Sequence, residues 1–288
     1  MKKIITLVLT AALLCCSLLA LASCNTGSND VVKVIDINLS EEEYAFCVNK
    51  SDDTLKTSVN NFLKKIQENG KFDEICNNYF GDGTPLKITS AAEDASKDQL
   101  IVATSTGFEP FEMVDQNAKY SGIDMEIAYY LAEELGKELV IKDMDFDAVI
   151  TSVQNGTCDI GMAGLTITPT REAQVTFSNS YYNASQVLIV NGDDDTFDDC
   201  ETAEDVVAIL DSLSSDTKIG CQIGTTGEIY LDGDLHLGDD GYGFKGVPAT
   251  KMGYKYAALA VTAMRNGEIN YVILDDAPAR AIASSING

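Results

Sequence analysis

Histidine, a frequent residue in catalytic and metal sites, is nearly absent from this sequence of 288 residues. It contains a single histidine, His236, so neither a histidine-based catalytic triad nor a zinc site built on paired imidazoles is available. The surrounding stretch LDGDLHLGDDG begins like a calcium-binding loop, but its glycine falls one position late and no glutamate closes it. We therefore expect a solvated loop there, with no metal and no cofactor.

The cysteines beyond residue 24 are odd in number, and no two of them have C-x-x-C spacing: Cys47, Cys76, Cys158, Cys200 and Cys221. Most occupy apolar positions of periodic segments, where a buried thiol behaves as a small hydrophobic side chain. One disulfide remains open, and its pairing cannot be assigned from spacing.

Arg171 is the cation whose chemistry is most specific. Its planar guanidinium offers paired N–H donors in a geometry that fits a carboxylate. The alternative is a surface ion pair with Glu172 or another acidic side chain.

The first 24 residues predict where the rest of the chain lies. In MKKIITLVLTAALLCCSLLALASC, Lys2 and Lys3 precede an apolar run from 4 to 21, and small residues precede Cys24. This pattern is typical of a lipoprotein signal peptide; an uncleaved membrane helix is the alternative. We predict an extracytoplasmic protein anchored to the cell membrane through lipidated Cys24, with two acyl chains as its minimum anchor.

The charge of the chain excludes one class of partner. Removing Lys2 and Lys3 with the signal peptide leaves 18 basic and 45 acidic side chains, a formal charge of −27. Such a protein would be repelled by phosphates, so nucleic acid is excluded.

The stretch from 31 to 80 has the pattern of a carboxyl-terminal segment of a domain. VVKVIDI (31–37) predicts a strand, and SEEEYAFCVNK predicts a capped acidic turn leading into a second strand, Tyr44 to Val48. Two amphipathic helices follow, separated at Asn69-Gly70. Their apolar faces have no local partner, so they must pack against a later part of the chain. The small and polar segment TPLKITSAAEDASK then predicts a surface linker.

From Leu100 onward, strands and helices alternate, as in an α/β protein. LIVATS, KELVIKDM and CDIGMAG are predicted strands, and the helices between them close at Gly136 and Gly156. SQVLIVNG leads into the acidic loop DDDTFDDCETAEDV, and a composition shift near residue 191 suggests a second lobe. This lobe contains the strand TKIGCQIG, a helix opening at Thr225, a loop, the helix YKYAALAVTAMRNG and the strand YVILDD.

One long stretch, FDAVITSVQNGTCDIGMAGLTITPTREAQVTFSNSYYNASQVLIV, resembles the central segment of the extracellular solute-binding proteins of polar amino-acid ABC transporters. TGFEPFE, YSGIDMEIA, IGTTGEIYL and YVILDDAPA are similar to further segments of that family. The resemblance implies an α/β, two-lobe periplasmic-binding-protein type II fold. Each lobe would be a mainly parallel sheet flanked by helices, and a two-strand hinge would join them.

The resemblance also implies a function. The chain would be the substrate-binding lipoprotein of an ABC importer, a monomer that captures a polar amino acid by hinge closure and delivers it to a membrane permease. A dehydratase-like enzyme of the same fold and a ligand-sensing module without a transport role are the alternatives. An enzyme would need an acid or base beyond the binding residues, and the sequence presents none, so we expect no catalytic residues.

By this resemblance, Arg171 holds the α-carboxylate of the ligand, and Asp275 receives its α-ammonium. Asp275 has an alternative role as a helix N-cap before Pro278. The remaining members of the expected ligand site are the Thr166 hydroxyl beside Arg171, the Thr226 hydroxyl and nearby backbone N–H groups, the Phe108 ring against the ligand side chain, Ser105 and Gly164.

Ser105 departs from the pattern of relatives that bind cationic amino acids, which often carry an acidic residue at this position. A serine cannot neutralise a lysine or arginine side chain, which favours a neutral polar ligand such as glutamine. Glu109, Glu112 or Asp276 could supply the missing charge instead.

The order of the segments indicates a circular permutation, because the part that normally ends such a protein here precedes its beginning. Permutation is tolerated where the termini are neighbours and the cut lies in an exposed loop. A remnant of a duplicated neighbouring gene that pairs with another chain is the alternative. The predicted divisions are a signal peptide (1–23), a tether (24–30), a permuted strand of lobe 2 (31–37), a permuted part of lobe 1 (38–80), a linker (81–97), lobe 1 (98–187) and lobe 2 (188–288).

Overall fold

The computed structural model describes residues 31–233, 236–237, 242–243 and 245–288. The predicted signal peptide, the tether and Cys24 lie outside these residues, as does the side chain of His236. Within the described part of the chain, every helix is too short or too polar to cross a membrane.

The first lobe is built on a five-stranded sheet in which β4 (Gln99–Thr104) is the second strand from one edge. On one side lies β7 (Glu138–Asp143), and on the other β8 (Ile160–Gly161), both parallel to β4. The strands β3 (Cys47–Val48) and β9 (Thr176–Phe177) complete the sheet in antiparallel pairing. The run QLIVAT of β4 is almost entirely buried because helices cover both faces of the sheet.

The helices of this lobe include the two whose apolar faces lacked a local partner. They are α1 (Asp53–Glu68) and α2 (Lys71–Phe80), separated by Gly70 with φ of +78°. Both pack against α3 (Ile123–Leu135). The apolar faces of these two helices are therefore covered by a part of the chain that lies later in the sequence. The other helices are α4 (Phe146–Gln154) and the single turn α5 (Pro169–Glu172).

The second lobe is built on a sheet in the order β1 (Val32–Ile35), β11 (Gln186–Asn191), β16 (Tyr271–Asp275), β12 (Lys218–Gln222) and β15 (Thr250–Tyr254). The predicted strand at 31–37 thus joins this sheet, antiparallel to β11. Parallel pairing links the last three strands, and β11 is antiparallel to both of its neighbours. The mainly parallel character expected of the sheets holds only for three adjacent strands in each.

Helices flank this second sheet as well: α6 (Ala203–Asp211), α7 (Thr226–Asp232), α8 (Ala257–Arg265) and α9 (Asp276–Asn287). The hairpin strands β13 (His236–Leu237) and β14 (Tyr242–Gly243) lie beyond α7. The expected acidic loop through Val206 is wrong at its end, because α6 begins at Ala203. Thr202 and Asp205 form a capping box that starts this helix.

Two short strands lie where the chain passes between the lobes. β2 (Glu42–Tyr44) pairs antiparallel with β10 (Tyr182–Ala184), and these two strands form the connection. All of β11 belongs to the second sheet, so the crossing precedes residue 186 and the expected boundary after residue 187 lies too late. The sequence predicted one strand from Tyr44 to Val48, but the structure places strand residues on either side of Ala45 and Phe46.

The segment 81–97 is more firmly held than a surface linker. Ile88 is buried and pairs with Tyr120 of the hairpin β5 (Met113–Val114) and β6 (Tyr120–Ser121). The Leu86 N–H donates to the buried carboxylate of Glu126, 2.8 Å away, and the Tyr79 hydroxyl donates to the same oxygen. The prediction of a surface linker from polar composition was therefore wrong for the stretch around Leu86 and Ile88, which is bonded to the first lobe.

The described cysteines are all free thiols. Cys47, Cys158 and Cys221 are buried, which confirms a packing role for these three. Burial raises the pKa of the Cys47 thiol to about 12, so it stays protonated at neutral pH.

Candidate functional site

Arg171 is buried at the end of the α5 turn, where its guanidinium bonds to the protein backbone. Nη1 donates to the Thr166 carbonyl at 2.7 Å, and Nη2 donates to the Gly224 carbonyl of the other lobe at 3.1 Å. No ion pair among the described residues includes Arg171, so the alternative pairing with Glu172 is not adopted. Two of its five N–H groups are used, which leaves donors for an anion.

The electrostatic surroundings of this guanidinium are unusual for a buried cation. Burial lowers the pKa of Arg171, and the neighbouring carboxylates of Glu42 and Asp275 act in the opposite direction. A buried charge without a bonded counter-ion is costly, so the site favours an anion that can reach the guanidinium directly.

Asp275 ends β16 and faces the hinge strand β2. The Tyr44 hydroxyl donates to its Oδ1 atom at 2.6 Å. Its side chain does not cap α9, so the alternative N-cap role is not adopted. Burial and the nearby Glu42 carboxylate raise the pKa of Asp275 to about 7. One oxygen of the Asp275 carboxylate is therefore already bonded to a tyrosine.

Glu42 connects the two threonines that the sequence placed in the site. Both hydroxyls, Thr166 Oγ1 of the first lobe and Thr226 Oγ1 of the second, donate to Glu42 Oε2 at 2.6 and 2.7 Å. The other oxygen, Oε1, accepts from Ser40 Oγ at 2.7 Å and from Gln186 Nε2 at 3.0 Å. A single buried carboxylate thus joins the hinge to both lobes.

Sequence reasoning missed Glu42 and Tyr44, which it assigned to an acidic turn and the start of a strand. Three consecutive glutamates indicate a solvated face, whereas Glu42 is 3% exposed. The available signal was the two-residue period of a strand, which places Glu42 and Tyr44 on one face and Glu43 on the other.

The expected residues Phe108, Gly164 and Ser105 are all in the first lobe. Phe108 and Ser105 are buried. A Cβ atom at Gly164 would lie 3.0 Å from the Phe108 ring, so glycine makes room for that ring. The Gly164 N–H donates to Asp124 Oδ2 at 2.9 Å and is not free to bind a ligand.

Glu112 is a further buried carboxylate, and it has no hydrogen-bond partner among the described residues at either oxygen. Phe108 and Glu112 form an antiparallel backbone bridge, which directs their side chains to the same side. Burial raises the pKa of Glu112 well above its ordinary value, and the carboxylates of Asp124, Asp275 and Asp143 add to that effect.

Other buried oxygens within the described residues lack a donor as well. They are Thr104 Oγ1, Gln186 Oε1 and Gln222 Oε1. Thr104 and Gln222 are the last residues of β4 and β12, at the carboxyl ends of parallel strands, where α/β sheets bind their ligands. Among the described residues, the unsatisfied groups are therefore mostly acceptors.

The lobes also meet outside this cluster. Lys255 Nζ of the second lobe lies 2.6 Å from Asp145 Oδ1 of the first. A Cβ atom at Gly224 would lie 3.2 Å from Cβ of Asp147, so the backbone there approaches the opposite lobe closely. The expected residues Arg171, Thr166, Thr226 and Asp275 are thus brought together around Glu42 and Tyr44, with the lobes in contact.

Residues 100–271 match the bacterial extracellular solute-binding proteins, family 3. This match spans more than half of the chain, and the chain belongs to that family. Its two-lobe α/β architecture is the one predicted from the resemblance.

The matching relatives are named as amino-acid-binding proteins. The arginine-binding extracellular protein ArtP of Bacillus subtilis is 34% identical over 110 residues, which are 38% of this chain and 43% of that protein. A probable histidine-binding protein of Neisseria gonorrhoeae is 27% identical over 179 residues, 61% of this chain and 58% of that one. The chain spans about half the length of the curated relatives it matches.

Solved structures show the same relationship. An ancestral arginine-binding protein bound to arginine is 29% identical with a TM-score of 0.54, covering 66% of this chain and 75% of that chain. An ancestral amino acid-binding protein, a precursor of cyclohexadienyl dehydratase, is 30% identical with a TM-score of 0.53, covering 65% and 74%.

Proposed function

We propose that this protein is the amino-acid-binding component of an ABC importer. The observation that carries the proposal is the buried Arg171 guanidinium, which has no acidic partner among the described residues and lies near the buried carboxylate of Asp275. An amino acid would place its α-carboxylate on Arg171 and its α-ammonium on Asp275. Because these residues belong to different lobes, one ligand would hold the lobes together and favour the closed arrangement.

We propose further that the ligand carries a cationic side chain. Ser105 favours a neutral ligand such as glutamine, but three other carboxylates were open as sources of charge. Glu109 is exposed, and Asp276 pairs with Arg280 at 2.7 Å. Glu112 is buried without a partner among the described residues, and a guanidinium or ammonium would satisfy both of its oxygens. The names of the arginine-binding and histidine-binding relatives agree with this choice.

Glutamine remains the alternative ligand. One related solved structure is an ancestral arginine-binding protein bound to glutamine, 30% identical with a TM-score of 0.53. A glutamine side chain offers two N–H groups and no charge, so it would leave Glu112 with less compensation than a guanidinium provides.

Calorimetric titration of the protein from residue 24 onward with each of the twenty amino acids tests both proposals. We expect binding of L-arginine, L-lysine or L-histidine to be tightest, and L-glutamine to be weaker. Binding of none of them would refute the transport proposal, and preference for glutamine would refute the cationic ligand alone.

We also propose that the chain is circularly permuted relative to its family. The family match begins at residue 100. The strands β1 and β3 precede that residue in the sequence, yet β1 belongs to the sheet of the second lobe and β3 to the sheet of the first. The carboxamide of Asn287 bonds to the N–H groups of Val31 and Val32 and to the Val32 carbonyl, so residues near the two ends of the described part of the chain are neighbours. Size-exclusion chromatography should give a monomer; a dimer exchanging residues 31–80 would contradict the proposal.

Cleavage before Cys24 and lipidation of its thiol would place the protein on the outer side of the cell membrane, beside the permease that it serves. Intact-mass measurement of the protein extracted from membranes should give a chain that begins at Cys24 and carries acyl groups on its thiol. A mass that still includes residues 1–23 would favour an uncleaved membrane helix.

A further inference from the structure

Glu42 is a buried carboxylate at the meeting point of the hinge and both lobes, and the resemblance to the family assigned it no role. Its four bonding partners are the Ser40 hydroxyl, the Gln186 amide nitrogen and the hydroxyls of Thr166 and Thr226. Every one of them is a donor, which suits a carboxylate because it has only acceptor oxygens.

The direction of these bonds limits what the two threonines can do for a ligand. A hydroxyl has one proton, and both threonines direct theirs to Glu42 Oε2, at 2.6 and 2.7 Å. Thr226 Oγ1 also accepts from Gln186 Nε2 at 3.1 Å. Neither hydroxyl can therefore donate to a ligand carboxylate, which is the role expected of them from the sequence.

The backbone N–H of Thr166 can supply the hydrogen-bond donor that its hydroxyl cannot. Tyr44 and Thr166 face each other between two backbone bonds, from Ala45 N–H to the Leu165 carbonyl and from Ile167 N–H to the Glu43 carbonyl. In such a non-hydrogen-bonded pair, the N–H and C=O of the middle residue point away from the partner strand. The Thr166 carbonyl accordingly accepts from Arg171, and its N–H points to the same side.

We infer that Glu42 is a positioning residue of the ligand site, which fixes the Thr166 and Thr226 hydroxyls as acceptors and so selects ligands with an α-amine. This inference rests on the proposed function. The α-ammonium would donate to Asp275 and to the Thr166 oxygen, and the α-carboxylate would accept from Arg171 and from backbone N–H groups. Because Glu42 contacts both lobes, this one side chain determines where both threonine hydroxyls direct their protons when the lobes meet.

The substitution Glu42→Gln should reverse the direction of the hydrogen bonds to the two threonine hydroxyls, with little change in side-chain shape. Ser40 and Gln186 require an acceptor, so the new amide group would turn its NH2 toward the threonines and push their protons toward the ligand. Glu43→Gln is the matched control, because Glu43 lies on the same strand with an equal charge. Its side chain is exposed and, among the described residues, bonds only to the Ser180 hydroxyl.

Two probes separate positioning from general structure: L-arginine and its analogue with a hydroxyl in place of the α-amine. In Glu42→Gln, we expect the Kd for L-arginine to rise by about 10- to 100-fold and that for the analogue by less than about threefold, because a hydroxyl can donate as well as accept. Glu43→Gln should change both constants by less than about threefold.

An equal loss for both probes in Glu42→Gln would overturn the inference, since a purely structural role weakens them alike. If that variant does not fold, Thr166→Val decides instead. It removes the acceptor itself, so we expect selective loss of L-arginine, and an equal loss of both probes would again overturn the inference. A wild-type protein that binds no amino acid would refute the proposed function, and with it this inference, before any variant is compared.

Discussion

Glu42 and Glu112 are both buried carboxylates near the cleft, but their surroundings are opposite. Glu42, on the hinge strand, has four donors and ties together the elements that meet there. Glu112, in the turn that carries Phe108, has none among the described residues. The hinge end of the proposed site is thus satisfied by the protein, whereas at the Phe108 end the proposed ligand would supply the missing donors. A buried polar group without a partner requires an explanation, and we propose the ligand side chain as that explanation.

The largest expected effect comes from Arg171, which lies near Glu42 and Asp275. Arg171→Ala should weaken ligand binding by about two orders of magnitude or more, because each charge-assisted bond contributes roughly 1.5 to 3 kcal/mol. It should also lower the melting temperature somewhat, since the bonds to Thr166 and Gly224 are lost. Arg280→Ala, at an exposed arginine, is the control and should leave calorimetric affinity unchanged. Near-wild-type affinity in Arg171→Ala would remove the basis of the site.

Glu112→Gln tests the unsatisfied end directly. For a cationic amino acid, Kd should rise by about 10- to 100-fold, whereas glutamine should lose little. The unliganded variant should melt at a higher temperature at neutral pH, because a buried unpaired carboxyl is removed. Glu109→Gln, an exposed neighbour, provides the control in both calorimetry and thermal denaturation. Equal loss for cationic and neutral ligands would show that Glu112 does not face the ligand side chain.

Binding should also depend on pH. The pKa of Asp275 is raised to about 7, and that of Glu112 is also raised, so in the unliganded protein both carboxyls hold protons as the pH falls. A cationic ligand requires them ionised and must displace those protons. Affinity should therefore decrease below about pH 7, by at most about tenfold per pH unit for each group. Calorimetry in buffers of different ionisation enthalpy measures the released protons, and Glu112→Gln should release fewer. A flat profile from pH 5 to 8 would contradict the scheme.

The smallest effect concerns the satisfied end. Ser40 donates to Glu42 and accepts from the Gln186 N–H at 2.9 Å, so Ser40→Ala removes one of four donors from a buried carboxylate. We expect a loss of about 1 to 2 kcal/mol in unfolding free energy and a change of only a few-fold in affinity. Urea denaturation measures this loss. Ser58→Ala, at a half-buried position of α1 whose hydroxyl bonds to the Thr54 carbonyl of the same helix, is the control and should be close to neutral. A larger effect on binding than on stability would mean that Ser40 contacts the ligand.

Elements that follow from local sequence were predicted well. The helices on either side of Gly70 follow from apolar periodicity alone. The roles of Arg171 and Asp275 come from the family resemblance and remain predictions. Glu42 was missed because its burial depends on partners 124 and 184 residues away, while its neighbours Glu41 and Glu43 are exposed. The strand β15 was missed because its sequence, TKMGY, is mostly polar and its side chains are only partly buried. Long-range pairing, which a single sequence does not display, determined both outcomes.

The tie between Asn287 and the strand β1 has a consequence for synthesis. The bond from Val31 N–H to Asn287 joins residues 256 positions apart, and β1 pairs with β11, which lies far along the chain. During translation, the first strand to emerge therefore has no partner until most of the chain exists, and its last bonds form only when the final helix is complete. Such long-range closure slows folding. A polypeptide that folds slowly in this way stays unfolded for longer after synthesis, which suits export across a membrane in unfolded form.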